Sequence, residues 1–179
     1  SWKKYCPDYQ IICWNEENFD VSQNRYMCEA YEAKKWAFVS DYARLKIIYD
    51  QGGIYLDTDV ELIKPLDDLL QRGGFLGFDE KGIVATGLGF GAEKGNKIIE
   101  EFLRDYEDIS FVLPDGTHDL TPCPDRNTDA LKRLGIPHEI VFACDNGEID
   151  LLKSDSEIFE ELEKIGSLEE RKAYVRSLI

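Results

Sequence analysis

Between Lys34 and Gln51 the apolar positions return at helical spacing. Phe38, Tyr42, Leu45 and Tyr49 form one stripe, and such a stripe turns toward a core. Asp41 and Arg44 sit three residues apart, which puts them on one face, clear of that stripe. Gly52-Gly53 predicts the helix stop, because glycine takes the left-handed conformation of a C-terminal cap readily. Ile54 to Leu56 then reads as a short strand that runs straight into Asp57-Thr58-Asp59. Alternation along an extended chain puts Tyr55, Asp57 and Asp59 on one side, with Ile54, Leu56 and Val60 on the other.

The same pattern organises the rest. Trp2 to Cys6 reads as the end of a helix, stopped by Pro7-Asp8. The nearly continuous apolar run Tyr9 to Trp14 predicts a strand buried on both faces, as in a parallel sheet. A polar turn follows at Asn15 to Asn18, with short helices expected over Tyr26 to Tyr31 and Leu66 to Gln71. Val60 to Ile63 extends the DxD strand or pairs beside it, and Phe75 to Phe78, Ile83 to Thr86 and Leu88 to Ala92 read as further strands. Asn96 caps a helix in which Ile99, Phe102, Leu103 and Tyr106 share a face. Pro114 to Pro124 is a loop, Asn127 to Leu134 a helix stopped by Gly135, and Glu139 to Ala143 a last strand. The tail from Ser154 predicts two amphipathic helices, separated at Gly166 and with a Ser167 to Glu170 capping box opening the second. Helices alternating with short strands give an α/β fold with a mostly parallel central sheet flanked by helices. The expectation is one domain over residues 1–179, in which 154–179 form a C-terminal helical extension. Trp2, Trp14 and Trp36 are expected in the core, and His118 and His138 as ordinary loop or surface residues.

Composition narrows the chemistry. With 43% hydrophobic and 32% charged residues the chain is globular rather than disordered. A formal net charge of −15 argues against a nucleic-acid partner, and any anionic substrate needs a cation or placed arginines. Cys6, Cys13, Cys28, Cys123 and Cys144 are odd in number and form no CxxC, so neither a zinc site nor a disulfide framework is expected, and a reducing compartment is. No run of about 18 apolar residues is present, so no transmembrane segment is expected. The chain opens with Ser1 rather than methionine, which suggests a processed chain or a fragment.

Asp57 and Asp59 carry the candidate chemistry. The bland reading is an acidic turn after a strand. Two carboxylates delivered by one strand end also suit a hard divalent cation that neutralises the diphosphate of a nucleotide-sugar. A rival uses Asp57 as a phosphorylated nucleophile and Asp59 as general acid/base, since YLDTDV resembles the first motif of haloacid-dehalogenase-like phosphatases. That family's downstream serine or threonine, lysine and late acidic pair are not found here. A third reading is a non-catalytic module that keeps the site for binding alone. Asp41 and Arg44 form a surface helix pair, or Ser40-Asp41 a cap, or the fold brings the pair into the DxD cleft, where it suits sugar hydroxyls. Thr86 to Ala92 (TGLGFGA) lacks the lysine of a P-loop; its glycines let a backbone approach a ligand or bend a strand.

The run SDYARLKIIYDQGGIYLDTDVELIKPLDDLL resembles the signature of the family 32-type glycosyltransferases, whose sugar-binding region contains a DxD motif. That group includes capsular-polysaccharide sugar transferases and fungal mannosyltransferases, and its core is shared by clostridial toxin glucosyltransferases. YQIICWNEENF resembles the family's second strand, and GFGAEKGN and PDRNTDALKRLG continue the likeness. The resemblance implies a GT-A-like fold and a metal-dependent, retaining hexosyl transfer from a nucleotide-sugar, a UDP-sugar foremost, to a saccharide or glycolipid acceptor. It also implies surface or capsular polysaccharide biosynthesis in a bacterial cytoplasm, with peripheral association at the inner face of the membrane. By position, Asp57 and Asp59 hold Mn²⁺ or Mg²⁺, Asp41 and Arg44 contact the donor sugar, and Tyr55 and Thr58 complete the nucleotide-sugar site. Asp41, Arg44, Asp57 and Asp59 are the expected catalytic set. Relatives open with a strand of the type IPKIIHxxW and end in a segment with a histidine and a tryptophan. Neither is seen here, and Thr86 stands where many relatives have asparagine.

Overall fold

The computed structural model describes residues 1–70, 74–79 and 82–134. Element order is α1 (Trp2–Tyr5), a 3-10 turn (Val21–Gln23), α2 (Arg25–Glu32), α3 (Trp36–Gln51), β1 (Gly53–Leu56), α4 (Asp67–Leu70), β2 (Gly74–Leu76), β3 (Gly89–Ala92), α5 (Lys97–Arg104) and α6 (Cys123–Arg133). The class is mixed α/β, as expected. The sheet is not: its strands lie in the order β1-β3-β2, and both pairings are antiparallel rather than parallel. Phe78 and Val84 pair antiparallel between β2 and β3, so this part of the chain returns as a hairpin, and hairpin neighbours are necessarily antiparallel. The strand expected over Ile83 to Thr86 is reduced to that single bridge.

Two other expected strands do not form. Tyr9 to Trp14 joins no sheet among the described residues; Ile11, Ile12 and Trp14 are 45%, 49% and 37% exposed. A continuous apolar run becomes a doubly buried strand only when neighbours cover both faces, and no described strand runs beside this one. Val60 to Ile63 is held by α1 instead of by the sheet. The Trp2 indole donates to the Val60 carbonyl at 2.8 Å, and the Leu62 amide donates to Ser1 Oγ at 3.0 Å. The tryptophans also depart from expectation. Trp36 is 55% exposed, edge-on to Tyr31, and Trp14 sits at the surface against Phe19. Trp2 is half-buried, packed on a core cluster.

Register explains the glycines of β3. Tyr55 pairs with Phe90, Ile54 with Gly91 and Leu56 with Gly89. A Cβ at Gly91 would lie 2.6 Å from the Phe75 ring, and one at Gly89 would lie 2.9 Å from Leu56. The glycines therefore make room for apolar side chains of the neighbouring strands. Ile54, Leu56 and Phe75 belong to a small cluster with Cys6, Leu62, Leu66 and Leu69. Tyr55 and Phe90 belong instead to the main core with Tyr26, Met27, Leu45 and Phe102, drawn from α2, α3 and α5. The sheet thus separates two clusters, as strand alternation requires.

The helices follow their end signals. Asn96 Oδ1 accepts from the amides of Ile98 and Ile99, capping α5 as expected. α6 begins a full turn ahead of Asn127, at Cys123, because Pro124 suits the first turn of a helix. Gly52 ends α3 at φ 72°, and its amide donates to the Ile48 carbonyl at 2.8 Å. The Gly135 stop, the Glu139 to Ala143 strand, the helices from Ser154, His138 and Cys144 lie outside the described residues. The other histidine, His118, stacks on Phe111 at 4.8 Å.

Candidate active site

α3 carries Asp41 and Arg44 into the interior, where they are 8% and 6% exposed. Arg44 Nη2 donates to Asp41 Oδ1 at 2.8 Å and to Ser40 Oγ at 2.9 Å. Its Nε donates to the Ser40 carbonyl at 3.0 Å and its Nη1 to the Thr86 carbonyl at 3.4 Å. Of the readings open to this pair, surface decoration is therefore the wrong one. Nor is Ser40 a cap, since it lies inside α3 and its hydroxyl donates to the Ala37 carbonyl. A buried ion pair adds little net stability, because desolvation offsets the attraction.

β1 joins this pair to the acidic turn. The Arg44 guanidinium lies over the Tyr55 ring, 5.0 Å from its centre, and the Tyr55 hydroxyl donates to Asp57 Oδ1 at 2.5 Å. Tyr55 and Asp57 thus share a side, as alternation requires. The strand ends at Leu56, however, and Asp57 to Val60 form a turn closed by the Val60 amide on the Asp57 carbonyl at 3.1 Å. Strand alternation therefore no longer governs Asp59, which stands exposed with Thr58 on that turn. A Cβ at Gly87 would lie 3.3 Å from Arg44 Nη1 and 3.9 Å from Asp57 Oδ2. The glycine loop leaves open the space that both groups border.

Charge couples these residues. Burial pushes the Asp41 carboxyl up from its usual range, and the Arg44 cation opposes that push. A hydrogen bond from the Cys123 thiol also favours the carboxylate, the Asp57 charge disfavours it, and Arg126 favours it. Burial likewise raises the Tyr55 phenol, with Arg44 opposing and Asp57 reinforcing, so the phenol stays a donor at neutral pH. Burial pushes the Cys123 thiol up to about 12, and the Asp41 charge adds to it.

Among the described residues no group of three or more His, Cys, Asp or Glu side chains converges as a metal centre. The chain's oxygens nevertheless fit a hard cation. Asp57 Oδ1 is taken by Tyr55, while its Oδ2 fronts the side-chain-free Gly87 and Asp59 is open to solvent. Two carboxylates plus substrate phosphate oxygens are the usual donor set for Mg²⁺.

Sequence reasoning missed three residues of this neighbourhood. Cys123, Arg126 and Asn127 all come from the first turns of α6. Arg126 pairs with Asp119 and lies over the rings of Tyr26 and Tyr106, 5.6 and 5.7 Å from their centres. The Pro-Cys-Pro at 122–124 was the available signal, since proline at a helix start would have moved the α6 boundary forward.

A buried Asp–Arg pair thus reaches a DxD turn through one aromatic ring. Residues 1–76 match the glycosyltransferase sugar-binding region containing the DXD motif. Over these residues the chain is therefore similar to that sugar-binding region. Inositol phosphoceramide mannosyltransferase 3 of Schizosaccharomyces pombe is 28% identical over 110 residues, covering 59% of this chain and 30% of that protein. Inositol phosphoceramide mannosyltransferase 1 of the same yeast is 32% identical over 69 residues, covering 38% of this chain and 20% of that protein. The match thus spans less than a third of the length of either curated relative. No solved structure matches the chain. No helix among the described residues is long and apolar enough to cross a membrane.

Proposed function

We propose that this chain holds the donor site of a transferase that moves a hexose from a nucleotide diphosphate sugar to a saccharide or glycolipid acceptor. The reading is carried by the continuous contact Asp41–Arg44–Tyr55–Asp57, which links a buried sugar-binding pair to an open carboxylate turn. Arg44 has five N–H donors, and its four bonds to described residues leave one on Nη1, the atom next to Gly87. That proton and the Asp41 carboxylate offer one donor and one acceptor to sugar hydroxyls. Tyr55 holds the Asp57 carboxylate in place from below. Mn²⁺ or Mg²⁺ held by Asp57 and Asp59 would supply the positive charge that the leaving diphosphate requires. A chain of net charge −15 makes that supply necessary, since the protein as a whole repels a diphosphate.

A UDP-sugar is the first donor to test. A mannosyl donor is the second, favoured by the names of the two fungal mannosyltransferases to which the chain is similar. Calorimetric titration of UDP and GDP into the full-length protein, with and without Mn²⁺, separates the two. Metal-dependent binding of one base, lost in Asp59→Ala, is the expected result. Binding of neither base in the presence of Mn²⁺ would overturn the reading.

A further inference from the structure

Three buried side chains outside the expected set form a hydrogen-bonded series that ends on Asp41. Asn127 and Thr86 have no exposed surface and Cys123 is 5% exposed. Asn127 Nδ2 donates to Thr86 Oγ1 at 2.8 Å. An amide nitrogen can only donate, so the Thr86 hydroxyl keeps its own proton to give. The Cys123 thiol gives its one proton to the Asp41 carboxylate, so across the 3.7 Å to Thr86 Oγ1 the sulfur accepts the hydroxyl proton. Asp41 closes the series by accepting from Arg44. The acceptor-only carboxylate at one end and the donor-only amide nitrogen at the other fix the run, from amide to hydroxyl to thiol to carboxylate.

Packing alone does not explain this set. Among the described residues Asn127 Oδ1 is buried without a partner, a cost that an apolar residue of the same shape would not carry. The high pKa of the Cys123 thiol keeps it protonated, and hence a donor, throughout the neutral range. The series also spans separate elements: α6 supplies two members, the glycine loop one and α3 the carboxylate.

We propose that Asn127, Thr86 and Cys123 are positioning residues that hold the Asp41 carboxylate, and with it Arg44, at the sugar end of the donor site. The inference rests on the donor-site reading above. It differs from a structural role in what it affects: the sugar half of the ligand and not the nucleotide half.

The test compares two ligands on one protein. Full-length wild type, Cys123→Ala, Cys123→Ser and Thr86→Val are titrated with UDP-glucose against UDP, and with GDP-mannose against GDP, all with Mn²⁺. Cys123→Ala and Thr86→Val are expected to weaken the sugar nucleotide about tenfold while leaving the free diphosphate unchanged. Cys123→Ser keeps a donor at that place and restores most of the loss. Equal losses for both ligands, or none for either, would overturn the positioning role while leaving the donor site intact. Wild type that binds no ligand of the four would instead bring down the donor-site reading, and this inference with it.

Discussion

Asp41 with Arg44, and Asp57 with Asp59, are built on opposite terms although Tyr55 links them. The first pair is buried, and several named groups hold it: Ser40, Thr86, Tyr55 and Cys123. The second sits on a turn, where Tyr55 holds one oxygen of Asp57 and Asp59 stands in solvent. The difference teaches how a site divides its labour. Groups that read sugar hydroxyls must be fixed before the ligand arrives, because stereochemistry is decided by angles. Groups that await a cation must be left short of partners, because the ion and its phosphates complete them.

The largest effect should come from unbalancing the buried pair. Arg44→Met leaves a buried carboxylate without its cation and is expected to cost about 3–5 kcal/mol near neutral pH. Asp41 is already pushed above its unfolded value, and losing Arg44 pushes it further. The charged form bears the penalty, so the gap between variant and wild type is full above the raised folded pKa. It closes as pH falls through that value toward the ordinary carboxylate range. Urea midpoints at pH 7 and at successively lower pH read this directly; a gap that stays constant would break the account of Asp41.

The open pair should behave in the reverse way. Asp59→Ala is expected to weaken Mn²⁺-dependent nucleotide binding about 100-fold, while stability moves by no more than ~0.5 kcal/mol, as for other exposed sites. Calorimetry and a thermal melt on the same sample check both halves. Tyr55→Phe tests the link between the pairs: it frees Asp57 Oδ1 and should weaken metal-dependent binding about tenfold, as loss of an outer-shell hydrogen bond does. Asn96→Ala serves as the control far from the cleft. It removes the α5 cap and should cost about 1 kcal/mol, with donor binding unchanged.

Local signals in the sequence were sufficient where chemistry is local. The α3 stripe, the glycine stop, the strand ahead of the DxD turn and the Asn96 cap all depend on neighbours within a few residues, and the structure has each of them. Periodicity failed where the outcome depends on what lies alongside. Tyr9 to Trp14 has the composition of an inner strand, yet burial is a property of neighbours that periodicity does not name. Strand direction was lost for the same reason, since it follows from the Phe78 and Val84 return and not from any residue's preference. The site divides similarly. Spacing alone left Asp41 and Arg44 open between a surface and a cleft, and tertiary packing removes the surface. Cys123 and Arg126, the α6 residues that act on Asp41, were missed because their helix was started one turn late.

Gly52 and Gly53 give the chain a property that concerns its history more than its chemistry. Gly52 is wedged so closely that a Cβ would lie 2.9 Å from the Lys94 amide, and the Gly95 amide is tied to the Tyr49 carbonyl at 2.8 Å. The link therefore acts as a ruler between two reading heads. Adding or deleting one residue there would turn the helix by roughly 100° relative to the strand, or move the strand's side chains to its other face. Either change would part Arg44 from Tyr55, and with it the buried pair from the acidic turn. Surface loops elsewhere in the chain can lengthen and shorten over generations. Here the spacing is as much a part of the machine as the side chains it separates.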